Sequence, residues 1–432
     1  MSPEAVGLIG IALLLVLLFA RMWIAFAMAF VGFFGIAYLQ SFDQAFLIAG
    51  TAPFVFISKY ALTTLPMFVL MGNIIAVSGI GTDLFYAADK WVGQLRGGLA
   101  IATTLACALL AAITGISSVA LVTMGKIALP EMRKHKYDDT LATGCIACAG
   151  TLAFLIPPSI AFILYGIITE QSVGLLFMAG ILPGMLLAAL FIVAIMIITA
   201  FNPKAGPAGP KTTFKEKIVS LKGVWSMLVL FLLVLGGIYM GVFTPTEGGA
   251  VGAGGAILIS TISRRLSLKD FRHSLVDTGL MTAMVLLLMM GVSIFIRFMA
   301  ISKVPFMLGE TISQLTVSPM AIFAVIVVLY LILGMFTDII ASILLTIPIL
   351  YPVVISLGFD PIWFGVMVVV LIEIGLVTPP IGMDVFILSG ITGTPVGTIF
   401  RGVWPFCVAG IICVVILAVF PQIALFIPGT MK

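Results

Sequence analysis

The chain has 432 residues, of which 62% are hydrophobic and only 9% charged, with a mean hydropathy of +1.31 and a formal net charge of +4. Soluble domains carry about 25% charged and about 45–50% apolar residues, so a water-soluble fold is excluded and lipid must be the solvent for much of the surface. The small positive excess is what basic cytoplasmic loops add to a membrane protein, and it does not point to nucleic acid.

About ten apolar runs approach the roughly 20 residues that a helical crossing needs. Runs such as 8–20 are apolar all round rather than alternating, which predicts helices and not a transmembrane barrel. The longest polar stretch, 202–222, is too short for a separate domain. The reading is one all-α polytopic membrane unit over residues 1–432.

In chain order, residues 1–4 lack a basic leader segment and Arg21 is followed at once by another apolar run. Two short crossings are therefore expected in place of a cleaved signal. Residues 82–95, with Asp83, Lys90 and the adjacent Arg96, read as an amphipathic helix lying in the interface. Three basic segments, 133–136, 204–222 and 264–272, are assigned to the cytoplasm. Paired crossings fit between them, 140–168 with 173–200 and 224–242 with 248–262. Residues 274–300 then cross outward, 361–389 inward and 402–427 outward. Both termini are placed outside. The chain divides into an N-terminal scaffold and arm (1–97), a first repeat (98–200), a linker with connecting helices (201–318) and a second repeat (319–432).

Two segments share an ordered set of marks. The first has Gly115-Ile-Ser-Ser-Val-Ala120, Pro130, Asp138, Pro157-Pro158 and Gly166; the second has Gly334-Met-Phe-Thr-Asp338, Pro352, Asp360, Pro379-Pro380 and Gly390. Pro130 to Asp138 and Pro352 to Asp360 are both 8 residues, and Asp138 to Pro157 and Asp360 to Pro379 are both 19. Five crossings separate Asp138 from Asp360, because residues 319–351 are expected to turn back at the break near Gly334. The repeats are therefore inverted, a hallmark of secondary transporters.

Each repeat contains a polar break in a hairpin and a Pro-Pro break in a crossing. Proline lacks the N–H that would bond the carbonyl four residues earlier, so Pro157 and Pro158 release Ala153 and Phe154, and Pro379 and Pro380 release Gly375 and Leu376. A bare carbonyl in hydrocarbon is costly unless a cation or a neighbour satisfies it. Carbonyls at the end of one half-helix favour a cation, and N–H groups at the start of the next favour an anion. Hydroxyls of Ser117, Ser118, Thr337 and Thr378 add hard oxygen donors. A Pro-Pro kink or a hairpin serine is by itself usually structural; it is the repetition at matched spacing that points to a site.

The residues then match a known pattern. Leu65-Pro-Met-Phe-Val-Leu-Met-Gly72, the hairpin at Gly115, Leu155-Ile-Pro-Pro-Ser159 with Tyr165-Gly166, Ala179-Gly-Ile-Leu-Pro-Gly184, Phe243-Thr-Pro-Thr-Glu-Gly248 and Thr378-Pro-Pro-Ile-Gly382 follow one another. This order resembles the large membrane subunit, DctM type, of tripartite ATP-independent periplasmic (TRAP) transporters over nearly the whole chain. Gly248-Gly249 departs from the alanines common there. The resemblance implies an elevator fold of the ion-transporter kind with two re-entrant hairpins. It also implies coupling to Na+, location in the bacterial inner membrane and two partners, a small four-helix membrane subunit (Q type) and a periplasmic substrate-binding protein (P type). It maps the family's hairpin residues to Gly115, Ser117, Ser118, Gly334, Thr337 and Asp338, and its Pro-containing breaks to Pro157–Ser159 and Thr378–Pro380. Together with the released carbonyls of Ala153 and Gly375, the expected cation ligands are these hairpin residues with Pro157 and Thr378, and Pro158, Ser159 and Pro380 are expected at the small organic anion, a dicarboxylate, sialic acid, sugar acid or sulfonate.

Ionisable residues within apolar runs are functional candidates. Asp338 lies in the second hairpin break. Glu373 and Asp384 flank the second Pro-Pro pair, with a structural ion pair as the alternative for Glu373. Arg297 offers a fork to a carboxylate or sulfonate, or else snorkels to the interface. Glu247 is expected to cap or dock. The five cysteines, Cys107, Cys145, Cys148, Cys407 and Cys413, sit in apolar runs and read as small hydrophobes, not as a metal or disulfide set. A stand-alone Na+/anion symporter of the same fold is the alternative function. A channel lacks the expected charged rings or filter repeats. A membrane enzyme lacks a nucleophile elbow, a His-Glu-x-x-His motif and any histidine in a crossing.

Overall fold

The computed structural model describes residues 1–115, 117–314 and 317–431, apart from the Ser313 side chain. Every regular element among them is helical. Seven helices are long and apolar enough to cross a membrane, or eight if Phe214–Gly223 and Trp225–Tyr239, bent by 62°, form one span. The sequence suggested more because Pro3–Phe19, Ile24–Leu39 and Phe42–Ile57 are equally apolar but have only 16–17 residues.

The three basic segments lie together on one face. Tyr137 explains much of this: its hydroxyl accepts from Leu99 N at 3.1 Å and donates to the Pro207 carbonyl at 2.9 Å, while Asp138 N donates to Ala205 O at 3.0 Å. Trp91 Nε1 reaches Lys217 O at 3.2 Å, and Arg265 forms an ion pair with Asp83. The amphipathic arm is Ile80–Val92, ending at Gly93, with Ile80, Leu84 and Phe85 buried and Tyr86 and Trp91 exposed.

Both repeats have the same construction. The first hairpin pairs Gly98–Thr114 with Ser117–Lys134, and its two ends are joined through Tyr137 on the basic face. Asp138 then caps Asp139–Leu155 by accepting from Thr140 N at 2.7 Å; after the break comes Ile160–Thr169. The second hairpin pairs Pro319–Phe336 with Ile339–Ser356, and its ends meet through Phe323, Phe359 and Trp363, with ring centroids 4.9–5.5 Å apart. Asp360 caps Pro361–Val377 through the N–H groups of Ile362 and Trp363, at 2.8 and 2.9 Å, and Met383–Thr392 follows the second break.

The opposite sense of the repeats is visible in what the broken helices join. The first begins at the base of its own hairpin and ends at the base of the second, where the Tyr165 hydroxyl donates to the Pro361 carbonyl at 2.6 Å and Gln171 Nε2 donates to the Tyr351 hydroxyl at 3.0 Å. The second ends back at the first hairpin's base, where Arg133 reaches Thr394 Oγ1 at 2.9 Å while pairing with Asp139. Each hairpin's second arm also packs on the far half-helix of the other repeat, Ser117–Lys134 on Met383–Thr392 and Ile339–Ser356 on Ile160–Thr169.

Around this core runs a scaffold in which Ile24–Leu39 lies along Leu268–Ser302, with Gly291 against the Ala25 carbonyl and Gly35 against Phe298. Phe42–Ile57 is no crossing. It starts where Ile24–Leu39 ends, beside Phe298 near the end of Leu268–Ser302, and it finishes where Lys59 pairs with Glu170 at the end of the first broken helix, so both of its ends lie on the face away from the basic segments. The expected crossing at 402–427 is instead Val396–Val419 followed by a separate short helix, Gln422–Thr430. Replacing Tyr165 by Phe removes the buried tie between the broken helices, while the Pro361 carbonyl, in the first turn of its helix, keeps its helical hydrogen bond. The expected loss is about 0.5–1.5 kcal/mol, read as a lower melting temperature of the purified protein.

Candidate functional site

At the first break, Asp139–Leu155 stops because neither Pro157 nor Pro158 can donate a helical hydrogen bond. Ser159 restarts the chain as N-cap of Ile160–Thr169, accepting from Phe162 N at 3.4 Å. Its hydroxyl also donates to the Phe154 carbonyl. That carbonyl, expected to be free, is thus satisfied within the protein. Ala153 is buried in the last turn before the break. The first hairpin's tip lies directly on this break: Gly115 has a left-handed φ of +64°, and a Cβ there would overlap the Pro158 carbonyl oxygen. Only glycine meets both demands at once. Ile116 of this tip is outside the described residues. Ser117 is buried and Ser118 half-buried at the start of the returning arm.

The second break repeats the arrangement. The hairpin's Gly334 meets Gly375 of Pro361–Val377 so closely that a Cβ on Gly375 would lie 2.6 Å from Gly334 Cα. Gly382 N donates to Met335 O at 3.4 Å, holding the break against the tip. Thr337 Oγ1 donates to Leu333 O at 2.9 Å and shares a 2.6 Å hydrogen bond with Ser342 Oγ. Asp338 caps Ile339–Ser356 by accepting from Ala341 N at 2.6 Å. Thr378 Oγ1 donates to Ile374 O at 2.6 Å, and Thr378 N donates to Gly375 O at 3.0 Å. The Gly375 carbonyl is therefore also engaged, because the chain tightens by one residue as the helix ends. The Pro157-Pro158 and Pro379-Pro380 peptide bonds are both cis.

The structure thus brings Gly115 to Pro158 and Ser159, with Ser117 on the same tip, and Gly334 to Gly375, with Thr337 and Asp338 on the tip that Gly382 meets through Met335. Thr337, Thr378 and Ser159 spend their hydroxyl protons on backbone carbonyls, leaving oxygen lone pairs as the available donors. Ser342 was overlooked in the sequence. Its signal was position: five residues after Thr337, across the break and one helical turn in from the cap, where a hydroxyl can turn back on the tip.

The half-helix starts differ. Ser159 caps the first, whereas Gly382 caps the second without a side chain and Asp384 occupies its first turn. Glu373 and Asp384 are 1% and 4% exposed. No ion pair holds Glu373: among the described residues, both of its carboxylate oxygens and Asp384 Oδ2 are buried without a hydrogen-bond partner. Arg297 stands apart from both breaks, on an exposed side of Leu268–Ser302, lining the cleft that Gln44 and Lys59 border. Glu247 completes a capping box with Thr244, accepting from its backbone N at 2.8 Å, and those hydrogen bonds hold its carboxyl below the usual range. All five cysteines are buried as free thiols.

Comparison with known proteins agrees with this architecture. Residues 11–423 match the family described as "Tripartite ATP-independent periplasmic transporter, DctM component". The chain is 36% identical over 372 residues to the C4-dicarboxylate TRAP transporter large permease protein DctM of Pseudomonas aeruginosa, covering 86% of each. It is 33% identical over 419 residues to the sialic acid TRAP transporter large permease protein SiaM of Vibrio cholerae, covering 95% of this chain and 96% of that one. Among solved structures, the Alcanivorax borkumensis YdaH transporter superposes with a TM-score of 0.65 at 15% identity, over 88% of this chain and 89% of that one, a likeness of fold. The chain is a multi-pass membrane permease, not an enzyme, and it belongs to the DctM component family of the tripartite ATP-independent periplasmic transporters.

Proposed function

We propose that this chain is the transport subunit of a Na+-coupled carrier for a small organic anion, working by an elevator motion with a periplasmic binding protein and a small four-helix membrane subunit. The observation that carries the reading is the pair of hairpin tips, each seated on the Pro-Pro break of its own repeat, with the two repeats inverted. The donors there are hydroxyl and carbonyl oxygens, the chemistry a hard monovalent cation takes. The oxygens of Glu373 and Asp384 that are buried without a hydrogen-bond partner beside the second break add further hard donors for a cation. With a cation site at each break, an anion bound beside them gains charge complementarity that depends on bound Na+. That is the physical content of coupling.

The elevator reading rests on the division of contacts. Hairpins and broken helices interlock with one another, while Ile24–Leu39, Leu268–Ser302 and Pro245–Ile262 with Thr64–Val77 pack mainly among themselves. The family description, tripartite and periplasmic, supports both partners and an inner-membrane location. The clustering of basic segments on one face supports that face as cytoplasmic, with both termini periplasmic. The relatives support a small organic acid, a dicarboxylate, sialic acid, sugar acid or sulfonate, without choosing among them.

The test is uptake into proteoliposomes containing this chain and the small subunit, with the binding protein outside and an inward Na+ gradient. Uptake of one such acid that requires all components and Na+ is the expected result. Uptake with Na+ but without the binding protein would mean a stand-alone symporter. Uptake indifferent to Na+ would remove the coupling.

A further inference from the structure

The face away from the basic segments carries a cleft of about 780 Å³ that the transport reading does not use. One wall is the surface helix Phe42–Ile57, the other is Leu268–Ser302, and Ile168 and Glu170 close it from the end of the first broken helix. Its volume falls within the roughly 300–1,000 Å³ of small-molecule sites.

The charges within it are unevenly matched. Lys59 Nζ lies 2.9 Å from Glu170 Oε1, and that hydrogen bond holds the Glu170 carboxyl below its usual range. This cation and this anion satisfy each other. Among the described residues the Arg297 guanidinium has no hydrogen bond or ion pair, and the side-chain amides of Gln40 and Gln44, on the opposite wall, have none either. An unpaired guanidinium five residues from the end of a crossing helix, in one cleft with two unused amides, is a set of donors awaiting an acceptor. Its planar fork matches a phosphate or carboxylate in two parallel hydrogen bonds.

The surroundings decide where such an oxyanion comes from. Phe42–Ile57 exposes Phe42, Phe46 and Phe54 at 59%, 66% and 70%, the pattern of a helix lying in the headgroup zone with its aromatic rings toward acyl chains. The cleft's remaining lining is largely aliphatic, including Ile48, Val55 and Ile296. A ligand that is anionic at one end and apolar along its length fits both halves. We propose that this cleft binds an anionic phospholipid, its phosphate held by Arg297 with Gln40 and Gln44 and its acyl chains along the aliphatic wall. Because Glu170 belongs to a broken helix and Arg297 to the scaffold, a lipid seated here touches both and adds a lipid-dependent contact between them.

The full-length chain in detergent with mixed phosphatidylglycerol and phosphatidylcholine, weighed by native mass spectrometry, tests this without any transport readout. Failure of the Na+ reading would therefore leave the result untouched. Retention of phosphatidylglycerol over phosphatidylcholine by at least about tenfold is expected, falling to near parity in Arg297→Gln. Lys204→Gln, an exposed change in a basic segment on the other face, should keep the preference. An equal loss in both variants, or none in Arg297→Gln, overturns the site as non-specific attraction. Displacement of the lipid by succinate or free glycerol phosphate in the wild type, but not in Arg297→Gln, would assign the cleft to a soluble acid and overturn the lipid. Gln40→Leu with Gln44→Leu, on the opposite wall, provides a second variant pair expected to weaken retention in the same direction.

Discussion

Gly375→Ala is expected to cut uptake at least about tenfold, a loss of about 1.4 kcal/mol or more in the working state. The sign is not what helix propensity gives, since Gly to Ala within a helix ordinarily gains about 0.8–1.0 kcal/mol. Here the added Cβ meets Gly334 Cα at 2.6 Å, Gly334 C at 2.7 Å and Leu331 O at 3.1 Å, all of them backbone atoms that no rotamer change can move. Overpacking of this kind costs about 1–3 kcal/mol, and the relief available is to lift the hairpin from the helix that precedes the second break. Gly254→Ala supplies the control, because nothing lies within 4 Å of a Cβ there and propensity acts alone. Uptake and thermal melting should be measured on both. If Gly375→Ala transports like Gly254→Ala, the hairpin-to-helix contact is not part of the working structure.

The second large effect concerns Na+. Thr378→Val keeps the shape of the side chain but removes the oxygen that lies on the Ile374 carbonyl at 2.6 Å. Ser118→Phe fills the half-buried start of the first hairpin's returning arm. Both are expected to raise the Na+ concentration for half-maximal uptake by about tenfold, with the protein still folded and monodisperse. Losing the Thr378 hydrogen bond costs about 1 kcal/mol of stability by itself, so a lower melting temperature is no signature of the site; the shift in Na+ activation is. Unchanged Na+ activation in both variants would sink the assignment of the breaks as cation sites.

Much of the architecture was legible beforehand because its signals are local. Pro-Pro pairs end helices wherever they occur, Asp138 and Asp360 are cap residues followed by helix formers, and Lys and Arg counts choose a face. Matched spacings exposed the repeat, and parity of crossings gave its inversion. Both appear in the structure as broken helices that run oppositely between the two hairpin bases. The carbonyl argument was sound in part: Phe154 and Gly375 lose their helical partners as expected, but a serine hydroxyl and a threonine N–H replace them. A proline's position tells which bond is lost; which nearby donor takes its place depends on how the chain bends afterwards.

The intramembrane charges were the least legible. Residue type marked Asp338, Glu373, Asp384 and Arg297 alike, yet they are respectively a helix cap, two buried carboxyls with no hydrogen-bond partner among the described residues, and an exposed cleft residue. Phe42–Ile57 was equally opaque, since its composition suits a crossing and only its contacts place it along the surface.

By itself, the sequence determined that the chain lives in lipid, that it is helical, where its helices break, which loops share a face and that two halves repeat in opposite sense. These follow from composition, period and the covalent limits of proline and glycine, which act over a few residues. Only the tertiary structure decided that each hairpin tip sits on the break of its own repeat, that each returning arm packs on the other repeat, and which charges go unpaired. Those outcomes depend on close approach between residues far apart in the chain, as when Gly334 meets Gly375, and no local preference encodes that distance.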